Sequence, residues 1–133
     1  MKQPAEDSLA IVDSSGWLEF FAGGKNSAAF EPPLLAPASL IVPAVTIYEV
    51  FKVLFREAGE EAALQGVAAM QQGHVAELTP PRALAAATIS RRHGLPMADS
   101  MIMAAADEFG ATIWTQDDDF KDLPGVTFFP QRS

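Results

Sequence analysis

Several acidic side chains stand where an α/β chain would bring them together. Asp13 follows the short apolar run Leu9-Ala10-Ile11-Val12, and Asp117, Asp118 and Asp119 follow a second, Ala111-Thr112-Ile113-Trp114. Both runs read as buried strands, and open α/β sheets build their sites beyond the carboxyl ends of the strands. Glu49 falls in the first turn of a helix expected to begin near Thr46, and Asp99 in the first turn of one opened by Pro96. Helices of such a fold start at the same rim. Clustered carboxylates repel one another and resist ionisation unless a cation compensates. An all-oxygen set suits a hard divalent ion such as Mg²⁺ or Mn²⁺. Such an ion binds phosphate oxygens and activates a water for in-line attack.

Each acid also has a local role open to it. Asp13 could serve a turn or a helix cap. Glu49, three residues after Thr46, has the spacing of a capping box. Asp99 could complement a helix dipole, and residues 117–119 could form a solvated turn. Asp99 fits its local role least well. Leu95, Ala98, Ile102 and Met103 surround it along the helix, and a charge among them is costly unless paired or bound to an ion.

Other chemistries find less support. The chain has 133 residues and no cysteine, so thiol nucleophiles, disulfides and Cys-ligated zinc are excluded. No Ser-His-Asp arrangement stands out, and Gly23-Gly24-Lys25-Asn26 fits neither a P-loop nor a dinucleotide motif. His74 and His93 are assigned no catalytic part. Lys plus Arg is 9 against 17 Asp plus Glu, a net charge of −8 that argues against gripping nucleic acid through a broad basic surface. Lys52 and Arg56 share a helix face and could steer phosphate, but read better as a solvated face, as do Arg82, Arg91 and Arg92. Trp17, Phe20 and Phe21 read as core or dimer contact rather than as a base-stacking platform.

The elements that must position these acids alternate. Residues 9–12, 40–42, 74–78, 111–114 and 126–129 are expected as strands. Helices are expected after Ser14 or Ser15 as far as Gly23, from Thr46 to Gly59, over 60–72, 80–92 and 96–109, with one turn at 117–121. Residues 31–37 carry three prolines and are expected as a loop. Alternating short strands and longer helices predict an α/β fold with a mainly parallel sheet. With 49% hydrophobic residues, one domain over 1–133 is expected. No apolar run has the length of a membrane helix, and the opening MKQPAEDS is unlike a secretory or transit signal, so a cytoplasmic protein is expected.

Four short motifs, taken in order, resemble those of PIN-domain proteins, and most closely VapC-type toxins of type II toxin–antitoxin systems. They are Ile11-Val12-Asp13-Ser14-Ser15, Thr46-Ile47-Tyr48-Glu49-Val50, Leu95-Pro96-Met97-Ala98-Asp99-Ser100 and Trp114-Thr115-Gln116-Asp117-Asp118-Asp119-Phe120. The resemblance implies a PIN-like α/β/α sandwich and a Mg²⁺- or Mn²⁺-dependent endoribonuclease inhibited by a small antitoxin. It matches Asp13, Glu49, Asp99 and Asp117 to the acidic quartet, leaves Asp117 and Asp119 as alternative fourth ligands, and gives Thr115 and Ser14 supporting hydroxyl roles. It also implies a homodimer, and an RNA cut that leaves 5′-phosphate and 3′-hydroxyl ends. Two rivals remain: a catalytically inactive PIN-type interaction module, and a Mg²⁺-binding receiver domain, for which the required phosphoacceptor Asp and Lys are not found.

Overall fold

The computed structural model describes residues 9–132; the opening MKQPAEDS lies outside them. Its strands are β1 (Ala10–Val12), β2 (Ile41–Pro43), β3 (His74–Ala76), β4 (Thr112–Thr115) and β5 (Val126–Phe128). Its helices are α1 (Ser14–Ala22), α2 (Ser27–Leu34), α3 (Ala44–Ala58), α4 (Glu60–Met70), α5 (Pro80–His93) and α6 (Met97–Phe109). Every strand pair is parallel: β1 with β4, β4 with β5, and β2 with β3. A bridge between Ala10 and Leu40 joins the two groups, so the strands run in the order β3-β2-β1-β4-β5. The receiver-domain alternative fails here, because that fold uses the doubly wound order 2-1-3-4-5.

Alternation along the strands divides the core. Ile11, Ile41 and Ile113 face Ala86, Ile89, Ile102 and Met103 of α5 and α6. Val12, Leu40 and Val42 face the other way, against Trp17 of α1, Phe30 of α2, Val50 of α3 and Met70 of α4. β1 and β2 are buried on both faces, which is the reason their runs are uniformly apolar. Helices thus cover both faces of one parallel sheet, an α/β/α sandwich. The chain winds from β1 out to β3, then returns to add β4 on the opposite side of β1. This reversal opens a crevice beyond the carboxyl ends of β1 and β4.

Three local expectations are corrected. The proline-rich segment is not a loop throughout, since α2 contains Pro32 and Pro33. It is a two-turn helix anchored by buried Phe30 and Pro33, and Leu35 N–H still reaches Glu31 O at 2.8 Å, so packing outweighs the two lost donors. The cap of α1 is Asp13, not Ser14 or Ser15. Helix α3 begins at Ala44 behind Pro43, with no side-chain cap, so Thr46 and Glu49 lie inside the helix and form no capping box.

Candidate metal centre

Asp13 leaves β1 at the crevice and is only 1% exposed. Its Oδ1 accepts hydrogen bonds from Gly16 N (3.0 Å) and Ser15 Oγ (2.7 Å), which cap α1. A Cβ at Gly16 would sit 2.5 Å from Val12 Cγ1 and 2.8 Å from Phe30 Cε1, so glycine lets α1 start this close to the sheet. The other oxygen, Oδ2, accepts from Thr115 Oγ1 at 2.7 Å, across the strand boundary. Thr115 Oγ1 in turn accepts from Asp117 N at 2.9 Å. One hydroxyl therefore ties the acid at the end of β1 to the backbone of the acid beyond β4. A carboxylate has about four lone-pair positions. With three bonds to protein donors, Asp13 keeps acceptor capacity for a cation.

Beyond β4 the chain makes a 3-10 turn, Asp118–Phe120, pinned by fully buried Phe120. Asp117 caps the turn, its Oδ1 accepting from Asp119 N at 2.9 Å. The turn brings Asp117 and Asp119 to Asp99 in the first turn of α6, and one carboxylate oxygen from each lies within 4.8 Å of the other two. Asp99 is 9% exposed, Asp117 half-buried and Asp119 exposed. Both alternatives for the fourth acid thus stand beside Asp99. Glu49 is half-buried, and its Oε1 is buried without a hydrogen-bond partner.

Electrostatics bind these acids into one group. Burial raises Asp13 from its ordinary 3.8 to about 6, against the hydrogen bonds from Thr115, Ser15 and Gly16, and the charge of Asp117 adds to the rise. Burial and the charge of Asp117, with a hydrogen bond to Asp119 and the charges of Asp119 and Asp13, carry Asp99 to about 8. Glu49 is raised chiefly by burial and also by Asp117, while a hydrogen bond from Ser14 and the charge of Lys52 lower it. Asp13, Glu49 and Asp99 all feel Asp117, so acids from four separate elements share one neighbourhood. Carboxylates held near one another and reluctant to ionise fit a hard divalent cation, as does the unpartnered Glu49 oxygen.

Ser15, Gln116, Glu19 and Asn26 also support the site, with no local signal in the sequence to mark them. Ser15 Oγ donates to Asp13 and accepts from Gln116 N at 3.2 Å. The Gln116 side chain is bonded to Glu19 and Asn26. The adjacent serines of α1 divide their work: Ser15 serves Asp13 and Ser14 serves Glu49. Thr115→Val keeps the shape but removes the bridging hydroxyl. It is expected to cost about 1–3 kcal/mol, read as the shift in urea midpoint, because Asp117 N loses its acceptor and Asp13 Oδ2 its donor.

The site is thus a cluster of acids at the carboxyl ends of the strands of a parallel α/β sandwich. Residues 10–126 match the family profile of the PIN domain. The chain belongs to the PIN domain family. Among solved structures, a toxin–antitoxin complex from Klebsiella pneumoniae is similar at TM-score 0.73 and 18% identity, over 89% of this chain and 95% of that one. VapC20 of Mycobacterium tuberculosis, a sarcin–ricin-loop-cleaving toxin, is similar at TM-score 0.73 and 20% identity, over 88% and 96%. A DNA-bound VapBC from Salmonella typhimurium is similar at TM-score 0.69 and 16% identity, over 92% and 98%. At these identities the likeness is one of fold. No curated protein matches the chain.

Proposed function

We propose that this protein is a metal-dependent endoribonuclease, the toxin of a toxin–antitoxin pair, formed by a single PIN domain over residues 1–133. The observation that carries the reading is the approach of Asp99, Asp117 and Asp119 oxygens within 4.8 Å, beside buried Asp13 at the switch point. Asp13, Glu49, Asp99 and Asp117, with Asp119, would hold Mg²⁺ or Mn²⁺. When bound, the ion neutralises charge on the scissile phosphate and lowers the pKa of a water that attacks it. The chain's own part is to hold the carboxylates in place. Thr115 and Ser15 fix Asp13 from two sides, Thr115 fixes the departure of Asp117, and Ser14 steadies Glu49. Water attack leaves 5′-phosphate and 3′-hydroxyl ends on RNA.

The net charge of −8 leaves RNA recognition to shape and a few local cations, and favours an antitoxin with a basic segment. Exposed Tyr48, Phe55, Leu84 and Met97 supply apolar surface for the antitoxin and for a second copy of the chain. The toxin acts in the cytoplasm, and no helix among the described residues is long and apolar enough to cross a membrane. The test is cleavage of structured and unstructured RNAs with Mg²⁺ and with EDTA. Cutting in Mg²⁺ that stops in EDTA and leaves 5′-phosphates is expected. Undiminished cutting in EDTA would refute the metal mechanism, and no cutting of any RNA would favour an inactive interaction module. Growth arrest on expression, relieved by a co-expressed neighbouring small open reading frame, is expected of the toxin assignment.

A further inference from the structure

We infer that Gln116 is a positioning residue: its side chain, latched between Glu19 and Asn26, holds the strand exit that carries Asp117 against the repulsion of the neighbouring acids. The inference rests on the metal-dependent reading above. Gln116 stands between Thr115, which reaches Asp13, and Asp117. Its side chain is 9% exposed, and both ends of its amide are engaged. Oε1 accepts from Asn26 Nδ2 at 3.0 Å, and Nε2 donates to Glu19 Oε1 at 3.3 Å. Glu19 is fastened in turn, its Oε2 accepting from Asn26 N at 2.7 Å.

Asn26 shows that the arrangement is more than packing. It occupies the N-cap position of α2, where an asparagine side chain ordinarily caps the helix, yet it makes no cap bond. Its amide goes instead to Gln116 and to Pro130 O at 2.9 Å. Phe129 N donates to Thr115 O at 2.9 Å, so the segment after β5 braces the same exit. Asn26 is 6% exposed, so its hydrogen bonds are shielded from water.

Such a latch is needed because Asp117 has an escape. It is half-buried, and the turn after it carries exposed Asp118 and Asp119. One of its carboxylate oxygens lies within 4.8 Å of one from Asp99 and one from Asp119, and an outward swing would relieve the crowding of like groups. Thr115 and Ser15 hold the backbone from the side of the site, and Gln116 holds it from behind. Releasing the latch lets the acids separate, so the cation must pay to gather them.

Calorimetric titration of metal-free protein with Mn²⁺ tests this. Gln116→Leu removes both amide bonds and keeps most of the bulk; Asn26→Ala opens the far end. Each is expected to weaken Mn²⁺ binding about 10–100-fold, as loss of groups behind a metal ligand typically does. Arg82→Ala is the control, since Arg82 pairs with Glu108 at 2.8 Å on α5 and α6 and touches none of these groups. It should lower the melting temperature yet leave Mn²⁺ affinity within about twofold of wild type. Amide exchange at Asp117 and Asp119 should quicken in the two latch variants and not in the control. Should Gln116→Leu fail to fold, Asn26→Ala decides. Wild-type affinity in the latch variants, or equal loss in Arg82→Ala, overturns the inference while the metal site stands. A wild-type protein that binds no Mn²⁺ overturns the metal reading, and the latch with it.

Discussion

Asp99→Asn is expected to abolish Mg²⁺-dependent RNA cleavage, by on the order of 100-fold or more, while leaving the fold intact. A cation contributes several kcal/mol of transition-state stabilisation, and about 1.4 kcal/mol is a factor of ten in rate. The amide nearly matches the carboxylate in shape, so nothing in the packing around Ile102 and Met103 changes. What changes is charge. Asp99 is pushed to about 8 by burial and by Asp117, Asp119 and Asp13, so at pH 9 the metal-free wild type holds an ionised group where the surroundings oppose one. The variant should therefore melt higher than wild type at pH 9 without metal, and by a smaller margin at pH 6. Activity and stability move in opposite directions, a pattern that a damaged fold would not produce. Lower stability at both pH values, or retained cleavage, would contradict the assignment.

The metal-free protein should lose stability as pH rises from about 4 to 8. Asp13 at about 6 and Asp99 at about 8 both lie above the ordinary 3.8, so in this window the folded state holds protons that the unfolded chain has shed. Stability then falls with pH, the reverse of a salt-bridged aspartate. Divalent cations should reverse the trend. Mn²⁺ competes with those protons, so its affinity should climb between pH 6 and 9. At a free concentration of about 100 times its dissociation constant it adds about 2.7 kcal/mol. Thermal melts at pH 5, 7 and 9, with EDTA and with Mn²⁺, check this. The gap between the two curves should be widest at pH 9. A gap that does not change with pH would mean that the ion binds elsewhere.

The strand ends were legible because each is written locally. An apolar run followed by Asp marks both the exit of β1 at Asp13 and that of β4 at Asp117, and parallel topology brings adjacent exits together. Asp99 was legible because a charge amid Leu95, Ile102 and Met103 needs a reason. The expected position of Glu49 in the first turn of its helix rested on the wrong local cause. The spacing from Thr46 imitates a capping box, whereas Pro43, at φ −61°, hands the chain into α3 without a side-chain cap, leaving Thr46 buried and Glu49 well inside the helix. The prolines of α2 misled because the rule against them concerns helix interiors with donors to lose, and a two-turn helix anchored by Phe30 has few. The Glu19, Asn26 and Gln116 latch left no local trace. Its bonds span 90 and 97 positions, and nothing in the pattern near Gln116 names the partner of its amide.

The most direct test is anomalous diffraction from crystals grown with Mn²⁺. A peak is expected at the crevice beyond β1 and β4, against carboxylate oxygens of Asp99 and of Asp117 or Asp119, with Asp13 and Glu49 bordering it directly or through water. Crystals saturated with Mn²⁺ that show no peak there, or show it only on another face of the molecule, would contradict the claim that these acids form one cation site.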